Sequence, residues 1–548
     1  MKDSDIITTE QTEVVKQPVS RLPVILTLIF LAIAGFGIYN HEMWRDELEI
    51  FTQIRDIPGF FALFPDIQPL PNLYLCLLYP TVKLWPHPGA FQLFHLLFIT
   101  FAVFLFNKYS PFNPVQKIFF TFSYFILFEY GIISREYSML LFLVFLLVYS
   151  VTRRKHSFIL VALAFFLLAN HHLYGLFASI SIFIYEIFYV SKRIKEFTPR
   201  EKKHLLIAAS CLMIASFYLF LQYSLLLRWD RYAQSFGQAP YFMTIRSIWN
   251  AFVPLPQTTG MNFWNTNLLP FPQMYSKPVV ATQFISTANI VALGASLFIL
   301  FVNIIIFSRK LPVLIIFLVN TSIQLIFLQY LSVFYVRYQG PLFIVFIYSY
   351  WLLAHADEKF GWPTLDRVAI PGAMPLFTTL RKFTSPFVSC LLFLHFCTGI
   401  FCYSQDIRYP FTASNETAKY IEAQKLNNNI MVGYIDYVAQ TISGHLGQSI
   451  YYPQTGHFGT HVVWLDRNRR ETLPLHEVLD QAIRIHRQTG KNVLLILNVP
   501  LYDRLRHPEA DIPLYNDCRL KYLNEFTKSI VDDERFFLYL IYRHPMGG

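Results

Sequence analysis

Apolar positions in this chain gather in long unbroken runs, not in the alternating or three-and-four spacing of half-buried strands and helices in a soluble domain. Runs lie near 22–40, 90–107, 118–133, 137–151, 157–171, 172–190, 204–227, 281–307, 311–331, 337–355 and 384–404. Each approaches the roughly 20 residues that carry a helix through a bilayer core, and together they predict about eleven transmembrane helices. Beyond residue 404 the texture changes. Strand-like runs at 430–434, 461–466, 492–499 and 536–542 alternate with helical patterns, one capped at Ser414 and one closed at Gly490. That alternation predicts a small α/β domain with a largely parallel sheet. The expected architecture is therefore a polytopic α-helical membrane protein. It has an N-terminal tail (1–21), a helical membrane domain (22–404) and a C-terminal non-cytoplasmic α/β domain (405–548).

Composition supports this. Of 548 residues 54% are apolar, 55 are Phe and only 15% are charged, where soluble domains carry about 25%. The net charge of +10 is not a nucleic-acid footprint, because the basic residues sit in short runs between apolar segments. These are Arg153–Lys155, Lys192 with Arg193 and Lys195, Lys202 with Lys203, Arg309 with Lys310, and Arg381 with Lys382. The positive-inside rule puts such runs in the cytoplasm together with Lys16 and Arg21. Loops 41–89 and 228–280 and the tail 405–548 then fall outside, in a bacterial plasma (inner) membrane with the site facing the periplasm or exterior. The first run is too long for a signal-peptide core and is expected to stay. Six cysteines form no CxxC pair, so neither a disulfide framework nor a zinc site is indicated. The tail has no Gly-rich nucleotide fingerprint. Asn415-Glu416-Thr417 is an N-glycosylation sequon, relevant only in a glycosylating host.

Candidate chemistry collects in the predicted outer loops. "NHEMWRDELEIF" (40–51) carries Asp46 and Glu47, adjacent and so pointing about 100° apart on a helix. Asp46 is placed to serve as a general base toward a hydroxyl or to ligate a divalent cation; the alternative is an interfacial anchor with Trp44 in the aromatic belt. "EYGIISREYSM" (129–139) puts Arg135 beside Glu136 in a tight turn, either as a local ion pair or as a phosphate clamp with a second acid. "ANHHLYGLF" (169–177) supplies His171 and His172, which diverge on a helix and are poor joint metal ligands. "SVFYVRYQGP" (332–341) opens a span with Arg337, which needs an anionic partner beside lipid. Asp66 and Gln68 complete the set. Acidic, basic and imidazole groups thus converge on one membrane face, as expected of an enzyme whose amphiphilic substrate keeps its head group outside and its tail in lipid.

The segments "MWRDELEIF", "DIQPLPNLYLCLL", "SREYSMLLFLVFLLVYSVTRR", "NHHLYGLF" and "VRYQGPLFIVFIYSY" resemble the polytopic glycosyltransferases of the GT-C superfamily, over about residues 22–355. Among them they look most like the bacterial relatives of protein O-mannosyltransferases and aminoarabinose transferases. The tail is similar to the extra-membrane domain of some members. The resemblance implies an inverting transferase that moves a sugar from a polyprenyl-phosphate-linked donor to a lipid, glycan or protein acceptor on the non-cytoplasmic face. It makes Asp46 the essential acid, with Glu47 beside it. Glu136 and Arg135 match the acid and base of the next short outer loop, and His171, His172 and Arg337 become contacts to lipid phosphate or acceptor. Family members often carry paired prolines after an acid; here Asp66-Ile67-Gln68-Pro69-Leu70-Pro71 separates them. No cofactor is fixed, and a divalent metal (Mg2+ or Mn2+) on Asp46 or Glu136 stays open. A transporter or flippase of lipid-linked sugars is the main rival, and an assembly factor with an inert acidic loop is the second.

Overall fold

A computed structural model describes residues 21–62, 72–153, 157–227, 240–270, 286–331, 335–356, 379–464, 468–501, 511–515 and 518–543; structural statements below concern these. Asp66 and Gln68 lie outside them. The chain opens with α1 (Leu22–Asn40), α2 (Arg45–Asp56), α3 (Asn72–Leu84), α4 (Pro88–Tyr109) and α5 (Pro114–Thr121). There follow α6 (Tyr137–Thr152), α7 (Phe158–Ala169), α8 (Leu173–Arg193), α9 (Pro199–Leu227), α10 (Tyr241–Phe252), α11 (Thr287–Phe307), α12 (Leu311–Leu331), α13 (Val336–His355) and α14 (Thr384–Arg408). Among the described residues six helices are long and apolar enough to cross a bilayer: α1, α4, α8, α11, α12 and α14. Helices α6 and α7 are apolar but shorter, so length and composition do not establish the count of eleven. Large apolar side chains such as Leu28, Phe36, Phe217, Ile290 and Phe298 point outward. An aqueous surface would not carry them in such density, and lipid accommodates them. This is a multi-pass membrane protein.

One expected span is not a continuous helix. Over 118–133 the chain leaves α5, extends at Ser123 (φ −70°, ψ 162°) and winds a single π-helical turn, Tyr124–Glu129. Gly399 of α14 explains the break: a Cβ there would sit 2.3 Å from the Phe122 carbonyl, so the two backbones touch. Inside the 228–280 stretch, α10 is largely buried and packs against α11, α12 and α13. Helix α3, with Pro80 inside it, lies against α2 and α4.

The C-terminal domain adds α15 (Ser414–Ala423), α16 (Asp436–Leu446) and α17 (Leu475–Thr489) to a seven-stranded sheet. Its strands are β1 (Ile430–Gly433), β2 (Ile450–Tyr452), β3 (His457–Gly459), β4 (Val493–Leu497), β5 (Asp511–Tyr515), β6 (Cys518–Phe526) and β7 (Phe536–Arg543). Their spatial order is β3-β2-β1-β4-β7-β6-β5. Only the β1–β2 and β1–β4 pairs are parallel. The others are antiparallel, which corrects the expected parallel sheet to a mixed one. The run at 461–466 is no strand over its described part: Val462 N–H bonds the Gln440 side chain and Trp464 bonds Glu49. Ser414 is the first residue of α15 and does not cap it; Thr412 Oγ1 accepts the Ser414 N–H instead. The sequon lies in α15 with Thr417 fully buried, so a folded chain does not present it for glycosylation.

Candidate active site

Four residues separate the end of α1 from the start of α2, whose first turn carries Arg45, Asp46 and Glu47. Aligned peptide dipoles favour carboxylates there. The two acids take opposite roles. Asp46 Oδ2 meets Arg135 Nη1 at 2.6 Å and Arg337 Nη2 at 3.0 Å. Arg135 in turn forks onto Glu136, with Nε at 2.9 Å from Oε2 and Nη2 at 3.3 Å from Oε1. His172 Nε2 lies 3.8 Å from Glu136 Oε1, and its Nδ1 accepts the Tyr174 N–H that opens α8. Five of the expected residues, from four separate stretches, therefore form one cluster: Asp46, Arg135, Glu136, His172 and Arg337. His171 stands just behind it and donates from Nε2 to the Glu136 carbonyl at 2.8 Å.

Glu47 is turned away and fully buried. Its Oε1 accepts the Ser134 N–H at 2.5 Å, while Oε2 accepts from Trp44 N–H at 3.2 Å and from His41 Nε2 at 3.0 Å. The other nitrogen of His41 donates to Asp406 at 2.9 Å, just before α14 runs out. Nothing local in the sequence pairs residues 41 and 406, so this support was not anticipated. His95 of α4 was missed for the same reason: it accepts the Arg135 N–H at 3.2 Å and lies 3.2 Å from the Gly131 carbonyl. Together these contacts fix both ends of the turn 131–136 that presents Arg135.

The electrostatics follow from burial and pairing. Burial would raise the Asp46 carboxyl, but Arg337, Arg135 and Arg45 hold it below the usual carboxylate value. Burial works against Glu136 in the same way, and Arg135 and then His172 outweigh it, holding the group at about 2. Burial drives His171 to about 3 and His172 to about 4, so both are neutral at pH 7. His41 is the converse case: burial opposes its charge, but Asp406 and Glu47 lift it to about 10 and it stays an imidazolium.

Arg337 is buried, close to the Trp44, Tyr338 and Tyr335 rings (4.8, 4.9 and 5.4 Å). Its Nε and Nη1 have no hydrogen-bond partner among the described residues. Two buried donors left open cost free energy unless something accepts from them. A small cavity of about 20 Å³ lies between α6, α8, α12 and α13, and Tyr130, whose hydroxyl donates to the Arg337 carbonyl, lies on its wall. Leu141, Val144, Ala178, Ile344 and Val345 line it, with Gln324. A divalent cation does not fit the cluster. Each carboxylate already faces a guanidinium, so a cation would sit against Arg135 and Arg337. Among the described residues no group of three His, Cys, Asp or Glu side chains is arranged to hold a metal ion.

No family model and no curated protein matches this chain. Two solved structures of ArnT from Cupriavidus metallidurans are similar to it at 11% identity, covering 94% of this chain and 97% of theirs. One, bound to undecaprenyl phosphate, has a TM-score of 0.44; the other, in the apo state, has 0.42. At that identity and score the likeness is too distant to argue from.

Proposed function

We propose that the chain is an inverting glycosyltransferase that moves a sugar from a polyprenyl-phosphate carrier to an acceptor hydroxyl on the non-cytoplasmic membrane face. The observation that carries this reading is the pair of open, buried Arg337 donors beside an ion-paired Asp46, at the end of an apolar helix of the bundle. A phosphodiester fills the donors, and its isoprenoid tail would lie in lipid against the apolar outer faces of the helices. The distribution of basic runs supports an outside position for this face, where a lipid-linked sugar would be met.

The chemistry then belongs to the chain's own side chains. Paired with two guanidiniums, Asp46 is a weak base. A bound phosphate competes for Arg337 and Arg135 and adds negative charge nearby, which raises the basicity of Asp46 when the donor is in place. The acceptor oxygen attacks the anomeric carbon as the bond from that carbon to the phosphate oxygen breaks, inverting the centre. The polyprenyl phosphate leaves with the bonding pair onto Arg337 and Arg135, and the acceptor proton passes to Asp46. Glu136 keeps Arg135 aimed, and neutral His172 offers an N–H toward the same carboxylate.

The alternative, a flippase of lipid-linked sugars, has one observation in its favour. Neutral amides run into the bundle, with Gln324 Nε2 donating to Asn320 and Asn320 to the Tyr348 hydroxyl, both at 2.7 Å. The test uses purified protein in lipid nanodiscs with a panel of polyprenyl-phosphate sugars and membrane extract as acceptor source. Donor consumption followed by mass spectrometry should occur with wild type and vanish with Asp46→Asn. Lipid movement across the bilayer without sugar transfer would instead favour the flippase.

A further inference from the structure

The acid of the proposed site stands on a helix that the membrane bundle holds only in part. Much of α2 is packed against α16 of the C-terminal domain. From Arg337 a chain of cations and aromatic rings runs outward through this contact. The Arg337 guanidinium lies 4.8 Å from the Trp44 ring, and the Arg45 guanidinium lies 5.3 Å from the same ring and 5.2 Å from Tyr437. Tyr437 stacks on Trp464 at 6.2 Å and 22°, and Arg469 lies 4.5 Å from Trp464. Arg469 is itself anchored by Asp436, at 2.7 and 2.9 Å. Arg45 is the chain neighbour of Asp46, and its other partners also belong to the domain: Asp533 at 2.7 Å, and Glu534, which accepts the Arg45 N–H at 3.1 Å.

A second, independent feature lies at the same place. Ile435, just before Asp436, has φ +56°, a left-handed conformation that a β-branched residue adopts at a steric cost. The strained turn delivers Asp436 to Arg469 and Tyr437 to Arg45. Strain of this kind persists where the surrounding contacts require it, and it clusters near functional sites. Attachment of a domain needs no such alignment; a fixed angle of α2 does.

We infer that Tyr437, Trp464 and Arg469 are positioning residues of the transfer: through this chain the C-terminal domain sets the angle of α2, and with it the place of Asp46 against Arg135 and Arg337. The inference rests on the transferase reading above. It assigns the domain a part in turnover in addition to any part in binding.

The geometry supplies its own test. A Cβ at Gly444 of α16 would lie 3.5 Å from Leu48 Cβ of α2, at the short end of the spacing a disulfide spans. Leu48→Cys with Gly444→Cys is therefore a staple that can hold α2 in place of the chain of rings. In full-length protein in nanodiscs, Tyr437→Ala and Trp464→Leu should lower kcat for donor consumption by ~30-fold, with KM for the donor within about twofold. Tyr437→Phe, which keeps the ring, should stay within about twofold of wild type. In the Tyr437→Ala background the oxidised staple should restore most of the lost kcat, and reduction should remove it again. Unchanged kcat in both ring variants overturns the inference, as does a loss that the closed staple does not restore while Tyr437→Phe is active. The two readings fail separately. Full turnover by Asp46→Asn sinks the transferase site, whereas an inactive Asp46→Asn beside fully active ring variants sinks only the positioning role.

Discussion

Two ionic clusters, one fully buried and one partly buried, meet at the first turn of α2, and they differ in how far their hydrogen bonds are satisfied. In the first, His41 sits between Asp406 and Glu47, and Glu47 also takes the N–H groups of Trp44 and Ser134. Every ring nitrogen is used. In the second, Asp46 is shared by Arg135 and Arg337, yet Arg337 keeps two N–H groups without a partner among the described residues. A buried charge network that is complete resists change, and one that is incomplete invites a ligand. Adjacent residues of one helix turn, Glu47 and Asp46, thus belong to different kinds of site: one holds the loop that presents Arg135, and the other faces what that loop presents.

The sharpest way to break this comparison is to damage the complete cluster. His41→Ala leaves two buried carboxylates without their cation, and should lower stability by about 3–5 kcal/mol. Thermal unfolding in detergent measures it, and a change under about 1 kcal/mol would mean the triad is not structural. Damage to the incomplete cluster should read out as activity. Asp46→Asn should cut turnover ~10³-fold, with a far smaller change in melting temperature than His41→Ala, because Arg135 keeps Glu136. Next comes Arg337→Gln, which removes the open donors. Turnover should fall ~10²-fold, again with little thermal effect. If Arg337→Gln melted like His41→Ala and turned over like wild type, the roles of the two clusters would be reversed.

Much of this was legible in the chain. Asp46, Arg135, Glu136, His172 and Arg337 announce themselves because acidic, basic and imidazole groups collect on one predicted face, where charges beside lipid need partners. The apolar runs likewise give helix ends to within a few residues for α1, α6, α8, α12 and α13. What failed to show has physical causes. His41 with Asp406, and Tyr437 with Arg45, are contacts between distant stretches, and no periodicity encodes them. The break at Ser123 comes from a close approach by Gly399, whose partner cannot be read from either segment alone. Strands β5 and β6 escaped notice because Arg519, Lys521 and Glu525 stand between the buried positions of β6 and dilute the apolar signal of a partly covered hairpin. The apolar residues at 461–464 look like a strand, but their hydrogen bonds go to Gln440 and Glu49 and not to a neighbouring strand.

The smallest expected effect concerns pH, and it separates the clusters by sign. His41 is raised from 6.5 to about 10 in the folded protein. Its contribution is therefore complete below about pH 6.5 and lost as pH rises through about 10. Glu49, where α2 meets the C-terminal domain, is pushed by burial and by the Asp46 charge to about 7, against three donors. Its folded form holds a proton that the unfolded chain releases near 4.5, so stability declines between about pH 4.5 and 7 for this group as well. Asp46 and Glu136 run the other way. Both are held down, Glu136 to about 2, so the stability they contribute is present above about 4.5 and is lost only in strong acid. Melting temperatures of wild type and His41→Gln should therefore differ most near pH 6 and converge as the pH passes 10, while wild type and Asp46→Asn keep a constant difference across that window. A gap between wild type and His41→Gln that stayed constant up to pH 11 would mean that the ring is neutral in the folded protein. The complete cluster would then be held by hydrogen bonds between neutral and charged partners, and the distinction from the Asp46 cluster would rest on the open Arg337 donors alone.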